Sequence, residues 1–157
     1  MEKLDIKAIE EIVRKIITEK VGATTTQAPE EFPKHRDSSG VTSIPLQTVR
    51  VAETDRLDTG NKEDIVYCKD LFSLEESPRL GCGIMEMKET TFDWTLNYDE
   101  IDYVIEGYLE IIIDGRKVSA KAGEIILIPK GTKIQFSVPE FARFMYVTYP
   151  ADWATQK

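Results

Sequence analysis

At 157 residues the chain is sized for one domain with an appended tail, and a domain of that length buries roughly 65–70% of its unfolded surface without disulfide staples. With 28 acidic against 20 basic residues and a formal net charge of -8, it is poorly suited to phosphate backbones or anionic lipid, so neither nucleic acid nor a membrane is expected as a partner. No run approaches the roughly 18 apolar residues needed to cross a bilayer, and Met1-Glu2-Lys3-Leu4-Asp5 puts charges where a secretion signal needs apolar residues, so a cytoplasmic location is expected.

In chain order, Leu4, Ile6, Ile9, Ile12, Val13, Ile16, Ile17 and Val21 recur at three- and four-residue intervals, with Lys, Glu and Arg between them. That spacing predicts an amphipathic helix over 4–21, the ordered part of a segment 1–21 that Gly22 ends. Its apolar stripe either packs on the following domain or docks on a partner. Residues 22–45 carry Thr24-Thr25-Thr26, Pro29, Pro33, Ser38-Ser39-Gly40 and Pro45 with no apolar period, and read as a linker. The sole histidine, His35, stands there between Lys34 and Arg36, a setting for a solvated side chain rather than a ligand.

Residues 46–157 read as an all-β domain. Strands are expected at 47–52, 64–69, 81–88, 92–96, 100–105, 109–113, 116–120, 124–128, 133–138 and 141–149, with turn residues between most of them. Asp114-Gly115 suits a tight hairpin, since both residues tolerate positive φ. Cys68 and Cys82 lie in apolar contexts without Cys-x-x-Cys spacing and read as buried reduced thiols. After the strands, Trp153 is placed to fold back onto the barrel as an apolar latch.

Two frames within this region resemble the cupin superfamily of small jelly-roll barrels. Gly123, Pro129 and Gly131 fit the later motif, in which a metal-binding His follows three positions on; that position is Ile134. Glu100 and Gly107 fit the earlier one, whose two His positions fall on Trp94 and Leu96. The resemblance implies a cupin barrel, pairing as a homodimer, with three of the four metal ligands replaced by apolar side chains and hence no tightly bound transition metal. More closely, Tyr103-Val104-Ile105-Glu106-Gly107 and Ile128-Pro129-Lys130-Gly131-Thr132 are similar to segments of the EutQ family of bacterial ethanolamine utilisation. That likeness implies association with a microcompartment, contacts to shell or cargo proteins through 4–21, and acetate kinase activity, which would use magnesium and ATP. The N-terminal part here is much shorter than in enterobacterial members of that family.

Alternation along an extended segment places Phe92, Trp94, Leu96, Tyr98, Glu100, Asp102 and Val104 on one face, and the cupin frame turns Glu100 inward. Ile134, Phe136 and Val138 share the inward face of a later strand, so Phe92, Trp94, Leu96, Tyr98, Ile134 and Phe136 are the candidate substrate-lining residues. Glu100 and Asp102 are the candidate catalytic pair. Two carboxyls in an apolar pocket repel and are desolvated, which holds at least one protonated and able to act as acid or base. The same residues also suit a hydrogen-bonded structural role near a solvated mouth. Neither Gly81-x-Gly83 nor Lys130-Gly131-Thr132-Lys133 has the spacing of a phosphate loop. Glu100 and Asp102 are the carboxylates that a hard cation such as magnesium accepts, and Lys130 and Arg143 are the rim charges next in line. Three functions follow: a EutQ-like cupin without a metal site, an acetate kinase, and a metal-free isomerase or sensor.

Overall fold

The computed structural model describes residues 31–156, so the helix expected at 4–21 and the first part of the linker lie outside the described residues. Two compact units divide the chain, Met1–Arg50 and Val51–Lys157.

In the first unit the linker is less featureless than its composition suggests. Strands β1 (His35–Arg36) and β2 (Thr42–Ser43) pair antiparallel. Asp37 organises the turn between them: its carboxylate accepts from the Ser39 amide at 2.9 Å, and its own amide donates to the Val41 carbonyl at 2.8 Å. Local bonds of this kind need no apolar burial, which is why a proline-rich segment orders here. His35 lies exposed on β1. The strand expected at 47–52 is absent. Leu46–Thr48 instead forms a 3₁₀ turn, because the Thr48 hydroxyl bonds the Pro45 carbonyl at 2.8 Å and bends the backbone out of an extended path.

The second unit is built on a six-stranded antiparallel sheet. Its strands are β3 (Ile65–Asp70), β4 (Gly81–Thr95), β5 (Asp99–Ile113), β6 (Arg116–Lys121), β7 (Ile125–Ile128) and β8 (Lys133–Tyr149). The order is β3-β4-β8-β5-β6, with β7 also on β5. Asp114 and Gly115 close the β5–β6 hairpin with φ of 49° and 74°, the positive pair expected of this turn.

Six of the expected strands merge into three. The segments 81–88 and 92–96 are one strand, β4; 100–105 and 109–113 are one strand, β5; 133–138 and 141–149 are one strand, β8. The residues between the paired segments are irregularities within continuous strands. Glu89 has φ 45° and breaks the β4–β8 register between Lys88 and Thr90, and Gly107 has φ 80° where the β5–β8 register shifts. Pro139 falls in the gap between Val138 and Phe141, where no ladder bond is lost by its missing N–H. Because Lys88 pairs with Phe141 and Gly107 with Ala142, the three breaks lie side by side across the sheet. All three long strands therefore bend together, and one sheet becomes two facing layers around a shared interior.

One layer carries β3, the first half of β4, the second half of β8, the first half of β5, and β7. The other holds the second half of β4, the first half of β8, the second half of β5, and β6. Val66, Met87, Leu96, Val104, Leu109, Phe136, Phe144 and Tyr146 fill the space between as one core. On the outside of the first layer Ile101, Tyr103, Ile125 and Leu127 are exposed in adjacent cross-strand pairs, Ile101 with Leu127 and Tyr103 with Ile125. No described helix is long and apolar enough to cross a membrane.

Gly107 sits at the shared bend with both a positive φ and no room, since a Cβ there would overlap the Phe141 carbonyl. Gly123 has φ 90° but open space around it. Gly123→Ala is expected to cost only the left-handed conformation, about 1–2 kcal/mol, and Gly107→Ala to cost at least about 1 kcal/mol more from overpacking. Urea denaturation of the two variants reads the difference; equal losses would mean that the bend tolerates a side chain.

Candidate active site

The turn from β4 into β5 keeps the strand alternation running. Leu96 donates its amide to the Thr132 carbonyl at 3.0 Å and accepts from the Gly131 amide at 2.7 Å, which pins residue 96 inward between the strands. Phe92, Leu96, Tyr98, Glu100, Asp102 and Val104 are all buried, Trp94 is half-buried, and Tyr103, on the other face, is exposed.

Five of the candidate residues, Phe92, Trp94, Tyr98, Glu100 and Phe136, line one cavity. They are joined by Leu57, Cys68, Met85, Tyr146 and Trp153. Leu96 and Ile134 are buried in the core without lining it, and Asp102 lies wholly buried two residues beyond Glu100 on the same face. Phe92 stacks on Phe136 at 5.6 Å and meets Trp94 edge-on at 5.9 Å, while Trp94 Nε1 donates to the Tyr98 hydroxyl at 2.8 Å. Trp153, on the short 3₁₀ turn Trp153–Thr155, packs on Tyr98 at 5.8 Å, Tyr146 at 6.2 Å and Trp94 at 6.4 Å, the latch that its position suggested. The remaining void is about 10 Å³, close to the minimum for a single water molecule.

Gly81 and Gly83 make room for this arrangement instead of cradling phosphate. They pair with Thr148 and Tyr146 across β4 and β8, and a Cβ at either would overlap those side chains. The Tyr146 hydroxyl donates to Asp70 Oδ1 at 2.5 Å and accepts from Cys68 Sγ at 3.4 Å. Tyr146 was legible in principle, since Ala142, Phe144, Tyr146 and Thr148 alternate as strictly as the assigned strands. Nothing local in the sequence distinguishes Cys68.

Glu100 Oε1, both oxygens of Asp102 and the Thr148 hydroxyl are buried with no hydrogen-bond partner. Both carboxyls are buried on one face of β5 two residues apart, so the charge of one disfavours ionisation of the other. Burial pushes Glu100 from its ordinary 4.5 up to about 7. Burial, then the charge of Glu100, pushes Asp102 well above its ordinary 3.8. Burial raises Cys68 to about 12, and raises Tyr98 and Tyr146 as well, so thiol and phenols stay neutral donors at neutral pH. The arrangement can hold and release one proton between two carboxyls inside an aromatic wall.

A cupin-type transition-metal site does not fit, because Trp94, Leu96 and Ile134 offer no donors. Among the described residues no group of three or more His, Cys, Asp or Glu is gathered for a metal. Magnesium does not fit the narrow cavity either: it keeps several waters, and the void takes about one. Of the rim charges, Lys130 is exposed and bonded through its amide to Asp99, while Arg143 is ion-paired with Glu86. Neither lines the cavity.

A family profile described as "Ethanolamine utilisation protein EutQ" matches residues 4–155. The chain is 69% identical, over 98% of its own length and 96% of the relative's, to a Clostridioides difficile protein named "Acetate kinase EutQ". The solved structure of the Clostridium difficile EutQ protein superposes with a TM-score of 0.80 at 76% identity, covering 81% of this chain and 93% of that one. A cupin domain of Schizosaccharomyces pombe Cnp3 superposes at 0.53 with 15% identity, over 69% of this chain and 73% of that one, a likeness of fold alone.

Both carboxyls bind protons more tightly in the fold than in the unfolded chain, so the folded state holds more protons and this contribution to stability falls as pH rises. For Glu100 the loss runs from 4.5 to about 7. Glu100→Gln keeps the shape without ionising, and should gain on the wild type through that window, by on the order of 1–3 kcal/mol above it. Denaturant titrations of the pair across the window test this; a difference independent of pH would show that Glu100 titrates as a solvated acid.

Proposed function

The chain belongs to the EutQ family of ethanolamine utilisation proteins, and on that premise we propose that it serves ethanolamine catabolism in association with a bacterial microcompartment, its barrel acting as a small-molecule site that works without a transition metal. The observation that carries the reading is the exchange at the centre of the barrel. Where a cupin metal site needs imidazoles the chain has Trp94, Leu96 and Ile134, and it keeps an acid pair, Glu100 and Asp102, beneath an aromatic cavity. Such a site suits acid–base handling or sensing of a compact ligand. Residues 4–21 are the proposed contact to shell or cargo proteins, through their apolar stripe.

Acetate kinase is the second reading, favoured by the name of the 69% identical relative. It requires the cavity to open, because a void of about 10 Å³ excludes a nucleotide. Incubation with ATP, acetate and magnesium, with acetyl phosphate trapped as the hydroxamate, decides it. If the barrel acids carry the reaction, Glu100→Gln and Asp102→Asn each lower the rate by about a hundredfold or more. Wild-type silence removes the kinase reading and leaves the ligand-binding barrel; activity that survives both substitutions places the reaction elsewhere.

The exposed patch of Ile101, Tyr103, Ile125 and Leu127 supports a homodimer, since an apolar sheet face of this kind is costly to leave in water. Light scattering is expected to give a dimer, and Leu127→Glu a folded monomer. A wild-type monomer at micromolar concentration would refute the pairing.

A further inference from the structure

The chain contains two tryptophans, and both, Trp94 and Trp153, wall the same cavity with Tyr98, Tyr146 and Phe92. At its floor is Glu100, 4% exposed, whose Oε1 has no hydrogen-bond partner. Immediately across the β5–β8 ladder, Thr148 is also buried with an unpartnered hydroxyl. Aromatic faces attract cations through their quadrupoles, and an unpartnered buried carboxylate lacks a donor. Neither feature suits an anion: no lysine or arginine lines the cavity, and the carboxyls repel negative charge. From this combination we infer that the barrel binds a small organic ammonium cation, its N–H groups donating to Glu100 and its charge held against the rings of Trp94, Tyr98 and Trp153.

The cavity as it stands is too small for such a ligand, so a wall must move, and Trp153 is the wall that no strand of the sheet carries. Its turn is outside the sheet, reached by a long contact from Asn97 Nδ2 to the Gln156 carbonyl at 3.5 Å and otherwise held by local bonds, Thr155 Oγ1 to Asp152 Oδ2 at 2.9 Å and Gln156 Nε2 to Asp152 Oδ1 at 3.0 Å. Those local bonds move with the turn. Binding should therefore shift the Trp153 turn outward only far enough to admit the cation, the indole staying against its charge.

The inference rests on the reading of the barrel as a ligand site, and the test separates the two. Intrinsic fluorescence and calorimetry on the full chain would use ethanolamine hydrochloride as the probe, with sodium chloride at matched ionic strength and sodium acetate as controls. Saturable heat accompanied by a change in tryptophan emission is expected with ethanolamine alone. Glu100→Gln should weaken binding by about tenfold or more, Trp153→Leu by severalfold, and Trp153→Phe little. The Trp153 variants keep the test decisive if Glu100→Gln fails to fold. Saturable binding of acetate without ethanolamine would overturn the ammonium assignment and leave the barrel a ligand site. Silence with both would remove both readings, and ethanolamine binding unchanged by Glu100→Gln and Trp153→Leu would place it outside the barrel.

Discussion

The arrangement of the barrel depends on three long strands bending at one level. Had Glu89, Gly107 and the Pro139-Glu140 pair fallen at different heights, β4, β5 and β8 would kink against one another and break their ladders. Because Lys88 faces Phe141 and Gly107 faces Ala142, the irregularities line up and the sheet folds as a unit. The site follows from that fold: Glu100, Cys68, Met85 and Tyr146 come from one side of the bend, Phe92, Trp94 and Phe136 from the other, and they meet in one cavity. Gly107 is required at this level because its left-handed φ coincides with the Phe141 carbonyl, a combination that no side chain accommodates.

Within that enclosure the acid pair is out of balance. Desolvation opposes the charged form of both groups, and each would oppose the charge of the other. A core built only for stability would hold apolar residues at these two positions, since buried polar groups without partners cost about 1–3 kcal/mol each. Their cost is the sort that functional sites carry. The aromatic wall compounds it, lowering local polarity while offering ring faces that complement positive charge. A metal-binding cupin and this chain thus solve one geometrical problem with different chemistry: the same inward positions carry Trp94, Leu96 and Ile134 where imidazoles would coordinate.

Strand faces are more legible in this chain than strand ends. Gly107 and Pro139 look like turn signals because turns and bulges draw on the same residues, those tolerant of positive φ or of a missing N–H, whereas Glu89 takes its positive φ with a residue type that does not announce it. Only a neighbouring strand distinguishes them, by continuing to pair on both sides of the break. The expected strand at 47–52 failed for a related reason: its apolar content suited a strand, but the Thr48 hydroxyl bond to the Pro45 carbonyl decided for a 3₁₀ turn. Asp114-Gly115 held because both its residues carry the φ that a two-residue hairpin demands, a strictly local requirement.

Side-chain alternation is likewise local, with period two, so the inward set from Phe92 through Asp102 was determined by the sequence itself and survived the turn at Leu96. The absence of metal ligands at the two motifs was determined in the same way, by residue identity in a recognisable frame. What closes over Glu100 was not. Cys68 meets Tyr146 from 78 residues away, and Trp153 reaches the cavity from a turn beyond the last strand. Contacts of such separation leave no period or spacing in the chain. They exist because folding brings the two layers and the C-terminal turn together, and that closure decides both the size of the cavity and which residues line it.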